Sequence, residues 1–196
     1  MSTPTAEAPP PSPKRDHLMA TASRLFYRDG YRAVGIDTLL AEAEVAKMTL
    51  YNHFASKEDL IVAILQKRSA TFLGSLDTAI AAAGKSPQRR LNALFDLLRG
   101  LFESDGFKGC AFIRALSEYP DSEHPIHQTA WRHKREMNAR IRTIIEAAGA
   151  RNPAAVADSI SLLIDGAIVA AHATRDPEWA ERARTSATGL LKAAQP

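Results

Sequence analysis

Apolar positions recur at helical spacing along nearly the whole chain. Leu18, Ala22, Leu25 and Phe26 predict an amphipathic helix over 14–28, stopped by Asp29-Gly30. Ile36, Leu39, Leu40 and Ala43 form the apolar face of a second helix only about two turns long. Glu44-Val45-Ala46 is the turn, with Val45 as an apolar plug beneath it. A third helix over 47–54 buries Leu50 and Phe54 and presents Lys47, Met48, Thr49, Tyr51, Asn52 and His53 outward. Such short helices are marginal alone and must pack together. Ser56 caps a much longer helix, with Asp59 in the acidic place of a capping box. Beyond it the pattern predicts helices at 57–83, 87–104, 109–119, 123–148, 153–173 and 177–194, separated by Gly- and Pro-bearing breaks.

The penultimate helix is apolar on two sides. Val156, Ile160, Leu163, Ala167 and Ala171 make one face, and Leu162, Gly166, Val169, Ala170 and Ala173 make another. A helix of that kind buries both faces, one in its own core and the other against a partner. Gly166 and Ala170 would let a second backbone approach closely. The second face is therefore the expected homodimer interface.

Composition narrows the class. A chain of 196 residues with 45% hydrophobic content fills one sizeable core or two small ones. Few aromatics and no alternating strand-like runs favour an all-α fold. No continuous apolar stretch approaches the roughly 20 residues of a membrane span, and residues 1–13 read as a disordered Pro/Ala/Ser/Thr tail without a signal-peptide core. The single cysteine, Cys110, excludes an intramolecular disulfide and fits a reducing cytoplasm. The net charge of +3 is modest for a nucleic-acid binder. Five basic residues (Lys14, Arg15, Arg24, Arg28, Arg32) face two acidic ones across 14–35, but later acids cancel that excess, so any DNA reading rests on motif and geometry.

The outward face of the third helix suits DNA. Lys47 supplies charge, Thr49 and Asn52 bond base edges or phosphates, and Tyr51 and His53 donate to phosphate oxygens. Met48 offers an apolar surface to a thymine methyl, and Lys57 adds charge at the next helix start. Lys14 and Arg15, leaving the Pro-rich tail, are placed to reach a groove or a phosphate.

At Leu25-Phe26, Gly30-Tyr31, Ile36, Leu39, Ala43, Val45, Lys47, Thr49-Leu50-Tyr51, His53-Phe54, Ser56-Lys57-Glu58 and Leu60 the chain resembles the tetracycline-repressor (TetR) family of transcription regulators. The resemblance implies an all-α dimer. Each subunit would carry a three-helix helix-turn-helix DNA-binding domain, here 14–56, and a helical ligand-binding and dimerisation domain, here 57–196. It implies that Lys47, Thr49, Tyr51, His53 and Lys57 lie where family members touch DNA. Two recognition helices about a two-fold axis suit a pseudo-palindromic double-stranded operator with half-sites ~34–36 Å apart. A repressor released by a small apolar or amphipathic effector is the implied mode of action. The chain departs from the family pattern at Val34-Gly35, where Thr-Ser is usual, and at Thr38 and Leu40. It departs also at Glu44, which replaces the turn glycine, and at Ala46 and Met48. Thr38, on the second helix, stays among the candidate DNA contacts.

For the effector, Phe72, Phe95, Phe102, Phe112, Trp131 and Met137 are candidate pocket residues, with Lys134 as a partner for an acidic group. The neighbouring basic cluster Arg132, His133, Lys134, Arg135, Arg140 and Arg142 reads as a solvated helix face, with Glu136 paired to Arg132 and Arg140. No cofactor is expected, and no nucleophile, phosphate loop or carboxylate pair points to an enzyme. Two alternatives stand beside the main reading. One is a metal sensor built from His124, His127 and His133 with Cys110 or Glu123; the other is a protein of this fold that has lost specific DNA binding.

Overall fold

The computed structural model describes residues 12–196, all of whose regular structure is helical. The expected tail thus lies outside the described residues, except for Ser12 and Pro13. The chain divides into two compact units, one ending at Leu65 and the other running from Gln66 to Pro196.

The first unit holds α1 (Pro13–Asp29), α2 (Ile36–Glu42), α3 (Lys47–Tyr51) and the start of α4 (Lys57–Ala82). Ser12 caps α1, its hydroxyl accepting from Arg15 N at 3.2 Å, with Pro13 at the first helical position. Gly30 ends α1 at φ 102°, ψ 159°, a region open in practice to glycine alone. Leu18, Ala22, Leu25 and Phe26 pack with Leu39, Leu50, Phe54 and Leu60 into a closed core. The third helix is shorter than its apolar spacing predicts. After Tyr51 the chain tightens, His53 N donating to Leu50 O, and Phe54 reaches the core from a turn. Ser56 caps α4 as expected: Asp59 N donates to its hydroxyl, which in turn donates to the Asp59 carboxylate, each at 3.0 Å.

The second unit holds the remainder of α4 with α5 (Pro87–Phe102), α6 (Ala111–Glu118), α7 (Pro125–Ala147), α8 (Pro153–Thr174) and α9 (Trp179–Ala194). α8 packs on both α7 and α9, α9 also lies on α5, and α6 rides on α7. Leu91, Leu94, Phe95 and Leu98 of α5 meet Ile141 and Ile145 of α7, Ile160 and Ile164 of α8, and Ala187 of α9 in one apolar core. α6 begins two residues later than predicted, because Gly109 takes φ +85° and Cys110 becomes the cap.

α8 is the most apolar of the long helices, though Asp158 and Asp165 interrupt it. By length and composition, with a mean hydropathy of 1.7 over its most apolar 18 residues, it is long and apolar enough to cross a membrane. Its polar residues are nevertheless committed to α7: Asn138 donates to Asp158 at 3.0 Å, and Lys134 pairs with Asp165. Ala157, Ile160, Ile164, Ala167, Ile168 and Ala171 are buried in the core. Its apolar character is that of a helix with one face in a bundle and a second one exposed.

Candidate nucleic-acid interface and effector cavity

α1 braces the helix-turn-helix. His17 Nε2 donates to Ala43 O at 3.1 Å, closing the end of α2, and Arg24 pairs with Glu42 at 2.7 Å. The turn between α2 and α3 places Glu44 at φ +51°, the left-handed conformation for which glycine is suited. Neither Gly35 nor Ala46, the residues preceding α2 and α3, supplies a side-chain cap. The hydroxyl missing at Gly35 is therefore missing in fact.

With Leu50 buried, Lys47, Met48, Tyr51 and Asn52 stand exposed on the opposite side of α3, Met48 at 67% and Tyr51 at 40%. Thr38 is exposed on α2, and Thr49 is half-buried. Three candidates are more tied down than the sequence suggests. His53 Nε2 bonds Ser12 Oγ at 3.3 Å, Arg15 lies 5.1 Å over the Phe54 ring, and Lys57 lies 5.8 Å over the Phe26 ring. Lys14 and Arg15 belong to the first turn of α1 rather than to a free tail, and Lys14 is exposed there. The sequence reading missed His17, whose part as a cap on α2 depends on a contact across 26 residues.

The second unit encloses a cavity of about 80 Å³ among α4, α5, α6, α7 and α8. Its apolar wall includes Phe72, Leu98, Phe112, Met137, Ile164 and Ile168, and its polar wall is Arg68, Cys110, His133 and Lys134. Four of the sequence candidates, Phe72, Phe112, Lys134 and Met137, come together here. Three do not. Phe95 is wholly buried in the core, Phe102 packs against Phe107 at 5.1 Å, and Trp131 is 54% exposed on the far side of α7. Helical spacing brings an aromatic to a buried face without saying whether that face is packed solid or borders a void.

The basic cluster on α7 is also not a uniformly solvated face. His133 is buried, its Nδ1 bonded to Ser69 Oγ at 2.9 Å and its ring stacked on Phe112 with centroids 3.6 Å apart. It lies three residues after Ala130 and four before Met137, so the buried stripe passes through His133 rather than Lys134. That spacing is the signal that could have found it. Burial, with Lys134 and Arg140 beside it, holds its pKa down to about 4, so the ring is neutral at pH 7. Lys134 pairs with Asp165, Arg140 makes a two-pronged contact to Asp77 at 2.7 and 2.9 Å, and Arg142 pairs with Glu146. Arg140 donates to the Glu136 backbone carbonyl at 3.0 Å, and the Glu136 charge favours the guanidinium as well.

The residues of the metal-sensor alternative are engaged separately. His124 Nδ1 accepts from Ile126 N, His127 Nδ1 donates to Tyr119 O, and His133 is held by Ser69. Among the described residues no three His, Cys, Asp or Glu side chains converge to hold an ion. Burial pushes the Cys110 thiol up, which keeps it protonated and a poor nucleophile.

The second face of α8 is open in the single chain. Leu162 is 74% and Val169 56% exposed; Gly166 and Ala173 are exposed, and Ala170 is half-buried. A groove of about 540 Å³ runs beside it between α8 and α9, with Leu163, Trp179 and Leu190 among its walls.

The family model of bacterial regulatory proteins of the tetR family matches residues 18–64, and that of the tetracyclin repressor-like C-terminal domain matches residues 87–187. The HTH-type transcriptional activator FasR of Mycolicibacterium smegmatis is 31% identical over 102 residues, 50% of this chain and 46% of that one. The HTH-type transcriptional repressor NemR of Escherichia coli is 30% identical over 108 residues, 55% and 54% of the two chains. In these alignments the chain spans about half the length of each curated relative. The solved structure of a TetR-family transcriptional regulator from Streptomyces coelicolor superposes with a TM-score of 0.88 at 32% identity, covering 93% of this chain and 96% of that one.

Proposed function

Because the chain belongs to the tetR family of bacterial regulatory proteins, we propose that it is a homodimeric, sequence-specific DNA-binding transcription regulator of the cytoplasm, a repressor released by a small effector. The observation that carries this reading is the exposed row of Lys47, Met48, Tyr51 and Asn52 over the buried Leu50 of α3. That arrangement supports a short helix seated in the major groove, with Thr38, Thr49, Lys14 and Lys57 around it. Met48 and Asn52 read base edges, and Lys47 and Tyr51 hold phosphates. His53 and Arg15 brace the end of the helix.

The exposed apolar face of α8, with Leu162, Gly166, Val169, Ala170 and Ala173, supports pairing of two copies through α8 and α9. The cavity supports effector control. At about 80 Å³ it is too small as it stands for a ring-sized ligand, so a ligand filling it favours a conformation other than this one. That difference in affinity between two conformations is what coupling to DNA requires. Of the two curated relatives described above, one bears an activator's name and one a repressor's.

The test is selection of bound sequences from a pool of random duplexes by the full-length protein. The expected product is two inverted half-sites with centres ~34–36 Å apart. A pool that enriches no sequence would mean the fold is kept and specific DNA reading lost.

A further inference from the structure

The cavity wall carries charge of one sign. Its charged residues are Arg68 and Lys134, and no carboxylate lines it. Asp165, the partner of Lys134, is not among the residues that line it. An ammonium group has three donors, so Lys134 can hold Asp165 and still donate to a second acceptor. Burial is the main reason that His133 on this wall is neutral, with Lys134 and Arg140 adding to it.

A cation entering this cavity meets like charge, whereas a carboxylate meets a donor already desolvated and oriented. Burying a carboxylate is costly unless it is paired and hydrogen-bonded, and Lys134 is the group that does so. Size restricts the rest of the molecule. A dry cavity of ~150 Å³ holds one benzene, and this one offers about 80 Å³. One ring or a short branched chain is therefore the most the wall can admit by a modest shift. Phe72, Leu98, Met137, Ile164 and Ile168 give that body an apolar seat.

We propose that the effector is a small carboxylic acid with a single-ring or short branched apolar body, its carboxylate received by Lys134 in exchange for part of the Asp165 contact. This rests on reading the cavity as the effector site.

The test is calorimetric titration of the full-length protein with benzoate, benzamide and benzylamine. Wild type is compared with Lys134→Met, Lys134→Arg, Asp165→Asn and the cavity-filling Ile168→Phe, with Leu98→Phe serving if Ile168→Phe does not fold. Benzoate is expected to bind at least tenfold tighter than benzamide, with benzylamine weakest. Lys134→Met should abolish that preference and Lys134→Arg retain it. Asp165→Asn should tighten benzoate binding while lowering thermal stability, a pairing of signs that a purely structural ion pair does not give. Equal affinity for benzoate and benzamide, or a preference unchanged in Lys134→Met, overturns the acid class. If the filling variant still blocks binding in that case, the effector cavity stands. Binding that survives the filling variant, or none of the three probes binding wild type, overturns both.

Discussion

Leu162→Asp separates the dimer proposal from a monomeric one. Leu162 is 74% exposed on the outer face of α8, while Ile160 and Ile164 on the inner face are buried. A leucine side chain taken fully out of water contributes ~1.5–3 kcal/mol, so covering the part still exposed is worth ~1–2 kcal/mol. Two-fold symmetry counts each residue twice, giving ~2–4 kcal/mol per dimer and a ~30- to ~1000-fold weaker dissociation constant on loss of that burial. The introduced carboxylate, desolvated on both sides of the axis, pushes the same way. Sedimentation velocity over a concentration series reads the monomer–dimer equilibrium directly. Circular dichroism should be unchanged, because the substituted side chain leaves the inner core intact. A dissociation constant equal to that of the parent protein would mean the exposed face of α8 is not where two copies meet.

Glu44→Gly should stabilise the first unit. Relief of a left-handed glutamate is worth ~1 kcal/mol, partly offset by the greater freedom of unfolded glycine, for a net gain of ~0.5 kcal/mol. A lower urea midpoint for the variant would contradict this. His133 gives a pH dependence of known sign: its pKa is about 4 when folded, against an ordinary 6.5. The unfolded chain therefore binds a proton first as pH falls, and stability that is complete above pH 6.5 drains away towards pH 4, by on the order of 3 kcal/mol. Urea unfolding at pH 7 and pH 5 should show a flatter profile for His133→Gln than for wild type, and parallel profiles would sink the assignment. Tyr51→Ala should weaken DNA binding, and Lys47→Ala should weaken it and lower the salt slope by ~1. Binding isotherms unchanged in both variants would remove α3 from the interface.

Much of this was legible in the chain because its breaks are chemically explicit. Gly30, Pro87, Pro125 and Pro153 mark helix ends by what their backbones allow, and the nine helices among the described residues follow them closely. Where local signals mislead, the deciding contact lies far off in sequence. Phe54, spaced four from Leu50, reads as a helical residue, yet the chain has already turned to carry it into the core. Lys134 and His133 are adjacent on α7; the spacing from Ala130 and Met137 favours His133 as the buried one, and the packing of Phe72, Phe112 and Ser69 around it shows what buries it. Phe95 and Trp131 resembled cavity residues for the same reason, since periodicity finds a face and cannot tell solid core or open surface from void. Arg68, Cys110 and Ile168 reached the cavity wall with no local pattern to announce them.

Fluorescence-anisotropy titration of the full-length protein against the DNA flanking its own gene, at two salt concentrations with competitor DNA, tests the central claim most directly. The account predicts tight binding that resists competitor, with a salt slope set by the phosphate contacts of a dimer. Binding that is weak, abolished by salt and indifferent to sequence would contradict it.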